Sequence, residues 1–258
     1  MENDQNHIGN NKSSNGVNEN SGLVQGDKMW KNVESHKGHI EPLPPSYTFD
    51  EAIITSIEDV AKWVQGISFI FQECASSNRD VAYKAVYKLR QYLCSKHKLY
   101  TDKLLELNIV NILASHLVKG ETTDVKYDAA WALTNIASGD SKHTSFLIKE
   151  SVIKALSSLL CDPHPSLVAQ SIWALSNIIA DRPVPREFVL RTNIISFLHH
   201  PLNQHRNSIP VMKKLSLMLI NICRKNDVEV PIEYFPQIIP IFDARIAHKD
   251  YDIILNAV

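Results

Sequence analysis

The sequence predicts an all-α fold, a right-handed superhelical solenoid of short helices, and three observations carry that expectation. From Ile57 onward apolar residues recur at three- and four-residue steps, and no stretch alternates apolar and polar for long. An aromatic residue and an asparagine four residues apart occur twice, as Trp131 with Asn135 and as Trp173 with Asn177. The asparagines Asn135, Asn177 and Asn221 are spaced by 42 and 44 residues, a period at which helical arrays repeat.

Residues 1–45 are rich in Asn, Ser, Gly and Lys and close on PLPPS, with too few large apolar side chains to offset the entropy of ordering the chain. This segment is expected to be a disordered tail, with residues 46–258 forming the solenoid. Ile57, Val60, Ala61, Val64, Ile67 and Phe71 mark a first amphipathic helix. In VAYKAVYKLRQYL, Tyr87 and Gln91 stand 44 residues before Trp131 and Asn135, which makes this the degenerate first member of the array. The next unit reads NIVNILASHL, then VKGETTD, then VKYDAAWALTNIAS, and the one after it VIKALSSLLC, the breaker DPHP and SLVAQSIWALSNIIAD. A fourth reads NIISFLHH, a polar loop and VMKKLSLMLINICRKN, with Leu217 where its predecessors have Trp. The remainder is expected to begin a fifth unit that stops in mid-repeat at Val258. No unit can bury its apolar faces alone, so neighbours must stack into one continuous core.

At 258 residues, 44% of them hydrophobic, the chain can bury a sizeable core. Its formal net charge of −1 argues against direct nucleic-acid binding, and residues 1–45, with four lysines, no arginine and six acids, are mildly acidic. Cys74, Cys94, Cys161 and Cys223 are far apart, with no CxxC, and are expected to be reduced core thiols. Neither an apolar run of membrane-spanning length nor a secretory leader is present, so the expectation is a soluble intracellular protein without a membrane partner. His199, His200 and His205 cluster, but no acid or cysteine lies at ligand spacing, and they are expected to be solvated loop histidines. With eight glycines, five of them in the tail, and no GxSxG, HExxH, Walker A or GxGxxG sequence, the chain is expected to be no enzyme and to bind no cofactor.

A lone Trp at helical spacing is ordinarily core and a lone Asn near a helix end ordinarily a cap. Their joint recurrence at the array period needs a shared reason, and a binding ladder supplies one. Asn offers a donor and an acceptor, so a row of asparagines can pair with the backbone of an extended peptide whatever its side chains. Between successive tryptophans lies a slot with π walls, suited to the methylene stem and cation of Lys or Arg. Asp181, one turn after Asn177, is placed to pair with such a cation.

The motifs AWALTNIASGD, with Thr144 five residues after Gly139, and QSIWALSNIIAD resemble the armadillo repeats of importin alpha, the adaptor that recognises basic nuclear localisation signals. The resemblance runs from about Ile57 to Val258 and takes in SIEDVAKWVQGI and LSLMLINICRKN. It implies that Trp131 and Trp173 are stacking tryptophans and that Asn135, Asn177 and Asn221 pair with the peptide backbone. It also implies that Gly139, Thr144 and Asp181 surround the most discriminating lysine of the signal through a carbonyl, a hydroxyl and a carboxylate. Gln170 corresponds to a groove glutamine and Arg224 to a groove-edge arginine. The implied partners are proteins bearing basic nuclear localisation signals, and the implied location is cytoplasm and nucleus. Three departures stand out. Leu217 removes one π wall. Asn108, Ser151 and Asn193 stand where the family has glycines between its first and second helices. The basic segment with which the family recruits importin beta has no counterpart in residues 1–45, so that partner is not expected in the usual way. The alternative reading is an armadillo scaffold for other protein partners with a decayed groove.

Overall fold

The computed structural model describes residues 57–94, 101–119, 122–224 and 229–246, all of which fall within a compact unit spanning Ile53–Val258. The tail expected over residues 1–45 lies outside the described residues, as does the end of the fifth unit beyond residue 246. Every regular element among the described residues is helical, and no helix there is long and apolar enough to cross a membrane.

The described residues open with α1 (Ile57–Cys74) and α2 (Arg79–Cys94). Asn78 starts α2, its Oδ1 accepting from the backbone N–H of Asp80 at 3.1 Å and of Val81 at 3.3 Å. Three helices follow: α3 (Thr101–Glu106), α4 (Ile109–Lys119) and α5 (Thr123–Ala137), the last capped by Thr122. The same triplet recurs as α6 (Ser141–Ser145), α7 (Glu150–Ser158) and α8 (Pro165–Asp181). It recurs again as α9 (Pro183–Arg191), α10 (Ile194–Gln204) and α11 (Ile209–Cys223), and α12 (Phe235–Ile246) comes next. Proline at the first helical positions of α8, α9 and α11 sets φ for the helix where no N–H is needed.

Two layers result. In one, the long third helices stack in chain order, α2 on α5, α5 on α8 and α8 on α11. In the other, α4 packs on α7 and α10 on α12. The core between the layers is almost wholly Leu, Ile, Val and Ala, including Leu133, Ile136, Leu156, Leu175, Ile178 and Leu215. Successive units are also tied by hydrogen bonds. The His116 ring meets the Cys74 carbonyl through Nε2 at 2.8 Å, and the His205 ring meets the Asp162 carbonyl through Nε2 at 2.9 Å. Cys74 ends α1, so His116 satisfies a carbonyl that the helix leaves without an intrahelical donor.

Several expectations need correction. Helix α10 does not stop at His200 but runs through Pro201 to Gln204. His199 and His200 are therefore helical, and His205 is buried rather than solvated. Of the cysteines only Cys74 is buried, whereas Cys94 and Cys161 are exposed and Cys223 is intermediate; none is in a disulfide. Asn108 and Asn193 do take the left-handed backbone, with φ of 68° and 61°. Ser151 does not, because α7 has already begun at Glu150 after an extended Lys149, and this unit makes its corner without a left-handed residue.

Candidate peptide-binding groove

The helices α2, α5, α8 and α11 each contribute one step of a ladder. Trp131 and Asn135 lie one turn apart on α5, and Trp173 and Asn177 do so on α8. Leu217 and Asn221 do so on α11 and Tyr87 and Gln91 on α2, where Gln91 Nε2 donates to Tyr87 Oη at 3.3 Å. Both tryptophans are half-buried, and Trp131 meets Tyr127 edge to face with ring centroids 5.6 Å apart.

The three asparagines differ in what they already hold. Asn135 is 8% exposed, and its Nδ2 donates to Cys94 Sγ on α2 at 3.1 Å. Asn221 Nδ2 donates to Ser176 Oγ on α8 at 2.9 Å. Asn177, half-buried, has no side-chain hydrogen bond among the described residues. Of the three, only its amide has no partner among the described residues.

The slots differ as well, because residues one turn before Trp131, Trp173 and Leu217 reach back to the preceding helix. Asp128 on α5 meets Arg90 Nε of α2 at 2.7 Å, and the Arg90 guanidinium lies between Tyr87 and Trp131, 4.8 Å and 4.2 Å from the two ring centroids. Gln170 on α8 is buried and donates through Nε2 to Thr134 Oγ1 of α5 at 2.7 Å. Lys214 on α11 sets its ammonium over Trp173 of α8, 3.2 Å from the ring centroid. The first and third slots therefore already hold a cation supplied by the protein. The middle slot, between Trp131 and Trp173, receives neither.

Burial pushes the Asp128 carboxyl up to about 6, with Arg90 pulling the other way. Burial alone pushes the Lys214 ammonium down to about 7. The indole face beneath Lys214 opposes that shift, since a ring quadrupole favours the charged form.

The residues expected around the discriminating lysine are close in the fold but engaged. Asp181 ends α8; its Oδ1 accepts from Ser141 Oγ at 2.6 Å and its Oδ2 pairs with Arg182 Nε at 3.1 Å. Thr144 is 0% exposed, with its hydroxyl donating to the Asp140 carbonyl at 3.3 Å. Gly139 follows α5, where an added Cβ would come within 2.3 Å of the His143 ring. The glycine thus leaves room for His143, whose Nε2 meets Asp102 at 2.8 Å. Arg224 is exposed at the end of α11, and its carbonyl accepts from Arg186 Nη1 at 2.7 Å. Among the described residues no group of three or more His, Cys, Asp or Glu could hold a metal ion.

Sequence reasoning passed over Arg90, Asp128 and Lys214. The signal that could have found Lys214 is a lysine pair inside the otherwise apolar run VMKKLSLML.

Comparison with known proteins agrees with this architecture. Residues 140–180 match the Armadillo/beta-catenin-like repeat model. Importin subunit alpha-1b of Oryza sativa subsp. japonica is 26% identical over 197 residues, covering 75% of this chain and 36% of its own length. Importin subunit alpha-5 of Arabidopsis thaliana is 26% identical over 222 residues, covering 86% of this chain and 41% of its own. Among solved structures, a computationally designed armadillo repeat protein for modular peptide recognition superposes with a TM-score of 0.66 at 20% identity, over 78% of this chain and 83% of that one. A designed armadillo repeat protein in complex with the peptide (KR)4 superposes with a TM-score of 0.63 at 22% identity, over 74% and 78%.

The stacked helices form an armadillo-repeat solenoid. Over most of its length the chain is similar to importin alpha subunits, and it matches well under half the length of those relatives.

Proposed function

We propose that this protein is an adaptor of the importin alpha type, holding an extended segment of a basic nuclear localisation signal against α5, α8 and α11 and acting between cytoplasm and nucleus. The observation that carries the reading is the middle slot: two tryptophans on adjacent stacked helices, with the open Asn177 amide beside them. A lysine stem between those rings, with its backbone paired to Asn177, uses every group the slot offers. The occupied first and third slots restrict the basic contact to fewer side chains than a ladder of free tryptophans would take.

Fluorescence anisotropy of a labelled lysine-rich signal peptide tests this. Wild type should bind, and Asn177→Ala should weaken binding by about tenfold, the worth of a hydrogen bond or two. Asn177 has no other described bond, so its loss tests the groove and not the fold. A folded, helical protein that leaves the peptide free would rule out the adaptor reading. The second reading is an armadillo scaffold for other protein partners, favoured by one observation: Arg90 and Lys214 already sit on the ladder aromatics.

A further inference from the structure

The slot between α8 and α11 holds a lysine amine with no counter-charge among the described residues. Lys214 is 8% exposed, its ammonium is held on Trp173, and no carboxylate among the described residues pairs with it. Arg90 in the first slot differs in that respect, since Asp128 neutralises it at 2.7 Å. Along α11 the ladder continues with Leu217 and Asn221 and ends at the exposed Arg224, so no acid there answers Lys214.

A peptide lying across the ladder therefore meets three slots of different charge. The first is a closed ion pair, the second is walled by two tryptophans and holds no cation among the described residues, and the third presents an ammonium with no carboxylate partner among them. A basic side chain pushed into the third slot faces a like charge at close range, where shielding from water makes the repulsion stronger. An acidic side chain there gains a charge-assisted hydrogen bond and gives the buried ammonium a partner.

We propose that the α8–α11 slot is a carboxylate pocket, in which Lys214, seated on Trp173, receives an Asp or Glu side chain of an extended peptide whose lysine occupies the slot between Trp131 and Trp173. The inference rests on the peptide-groove reading above and changes its ligand from a purely basic segment to one of mixed charge. Packed helices lie about 8–10 Å apart and an extended chain rises about 3.3 Å per residue, which places the acid about two or three residues from the lysine.

The test uses a labelled lysine-rich peptide and its relatives in which one lysine, two or three residues to either side of a fixed central lysine, is replaced by glutamate. Each is titrated by anisotropy against wild type, Lys214→Gln and Lys214→Met, with circular dichroism confirming the fold. Wild type is expected to bind at least one glutamate peptide five or more times tighter than the all-lysine parent, and both variants are expected to reverse that order. Should wild type bind the parent as tightly as every glutamate peptide, or should the order survive in both variants, the carboxylate pocket is wrong while the groove reading stands. Should no peptide bind the folded wild type, both fall together.

Discussion

Arg90 of one unit sits over the Trp131 ring of the next: the guanidinium carbon is 4.2 Å from the indole centroid, and the same guanidinium meets Asp128 at 2.7 Å. The contact couples a stacking interaction to a largely buried ion pair. Arg90→Met strips the buried Asp128 carboxyl of its cation, so that it must stay charged without a partner or take up a proton, and should lower stability at neutral pH by about 3 kcal/mol, as breaking a buried pair does. Asp128 has a folded-state pKa near 6, above the 3.8 of a free carboxyl, so its native form takes up a proton more readily than its unfolded form. Its contribution is then full below about pH 4 and is lost as pH rises through about 6. The deficit of Arg90→Met should accordingly be largest at neutral pH and shrink on acidification. Urea unfolding at neutral and acidic pH checks it, and an equal deficit at both would show that Asp128 is not the group left stranded.

Lys214 gives the opposite sign. Its folded pKa near 7 lies below the 10.5 of a free lysine, so the unfolded chain binds the proton more readily between those values. Stability from this group is present above about pH 10.5 and is lost as pH falls through about 7. Lys214→Met should therefore raise the melting temperature at neutral pH, with the gain fading toward high pH. Thermal melts of both proteins across that range decide the matter, and a lower melting temperature for the variant at neutral pH would mean that the Trp173 stack outweighs the burial of charge.

Arg182 holds the Asp181 carboxylate, the group that would meet a peptide lysine under the function proposed above. It pairs with Asp181 at 3.1 Å and donates to the Ser141 carbonyl at 3.2 Å, while remaining itself exposed. Arg182→Ala should tighten binding of a lysine-rich peptide about two- to fivefold, in keeping with the small worth of an exposed pair. Anisotropy titration reads the change directly. Unaltered affinity would indicate that Asp181 serves to join α8 to Ser141 and does not face the ligand.

The long helices and the ladder were legible in the sequence because both are periodic signals: apolar residues at helical steps, and Trp with Asn returning at a fixed interval. The short helices α6 and α9 were not, since SKHTS and PVPREFVLR are too brief or too proline-rich to show a period. Helix α10 ran past its expected end because Pro201 sits in an otherwise well-packed helix, where tertiary burial overrides local preference. The site was legible as residue types but not as occupancy. Whether Arg90 fills a slot depends on how far one helix is offset from the next, which no spacing along a single chain encodes.

Stacking in chain order has a consequence for how such a surface can change over time. Helix α8 is seated on α5 and α11 and receives its slot chemistry from those two neighbours. Asp128 with Arg90, Gln170 with Thr134 and Lys214 with Trp173 each belong to a single junction. One junction can therefore be rewritten by one or two substitutions while its neighbours keep their meaning, much as a letter is replaced in a word.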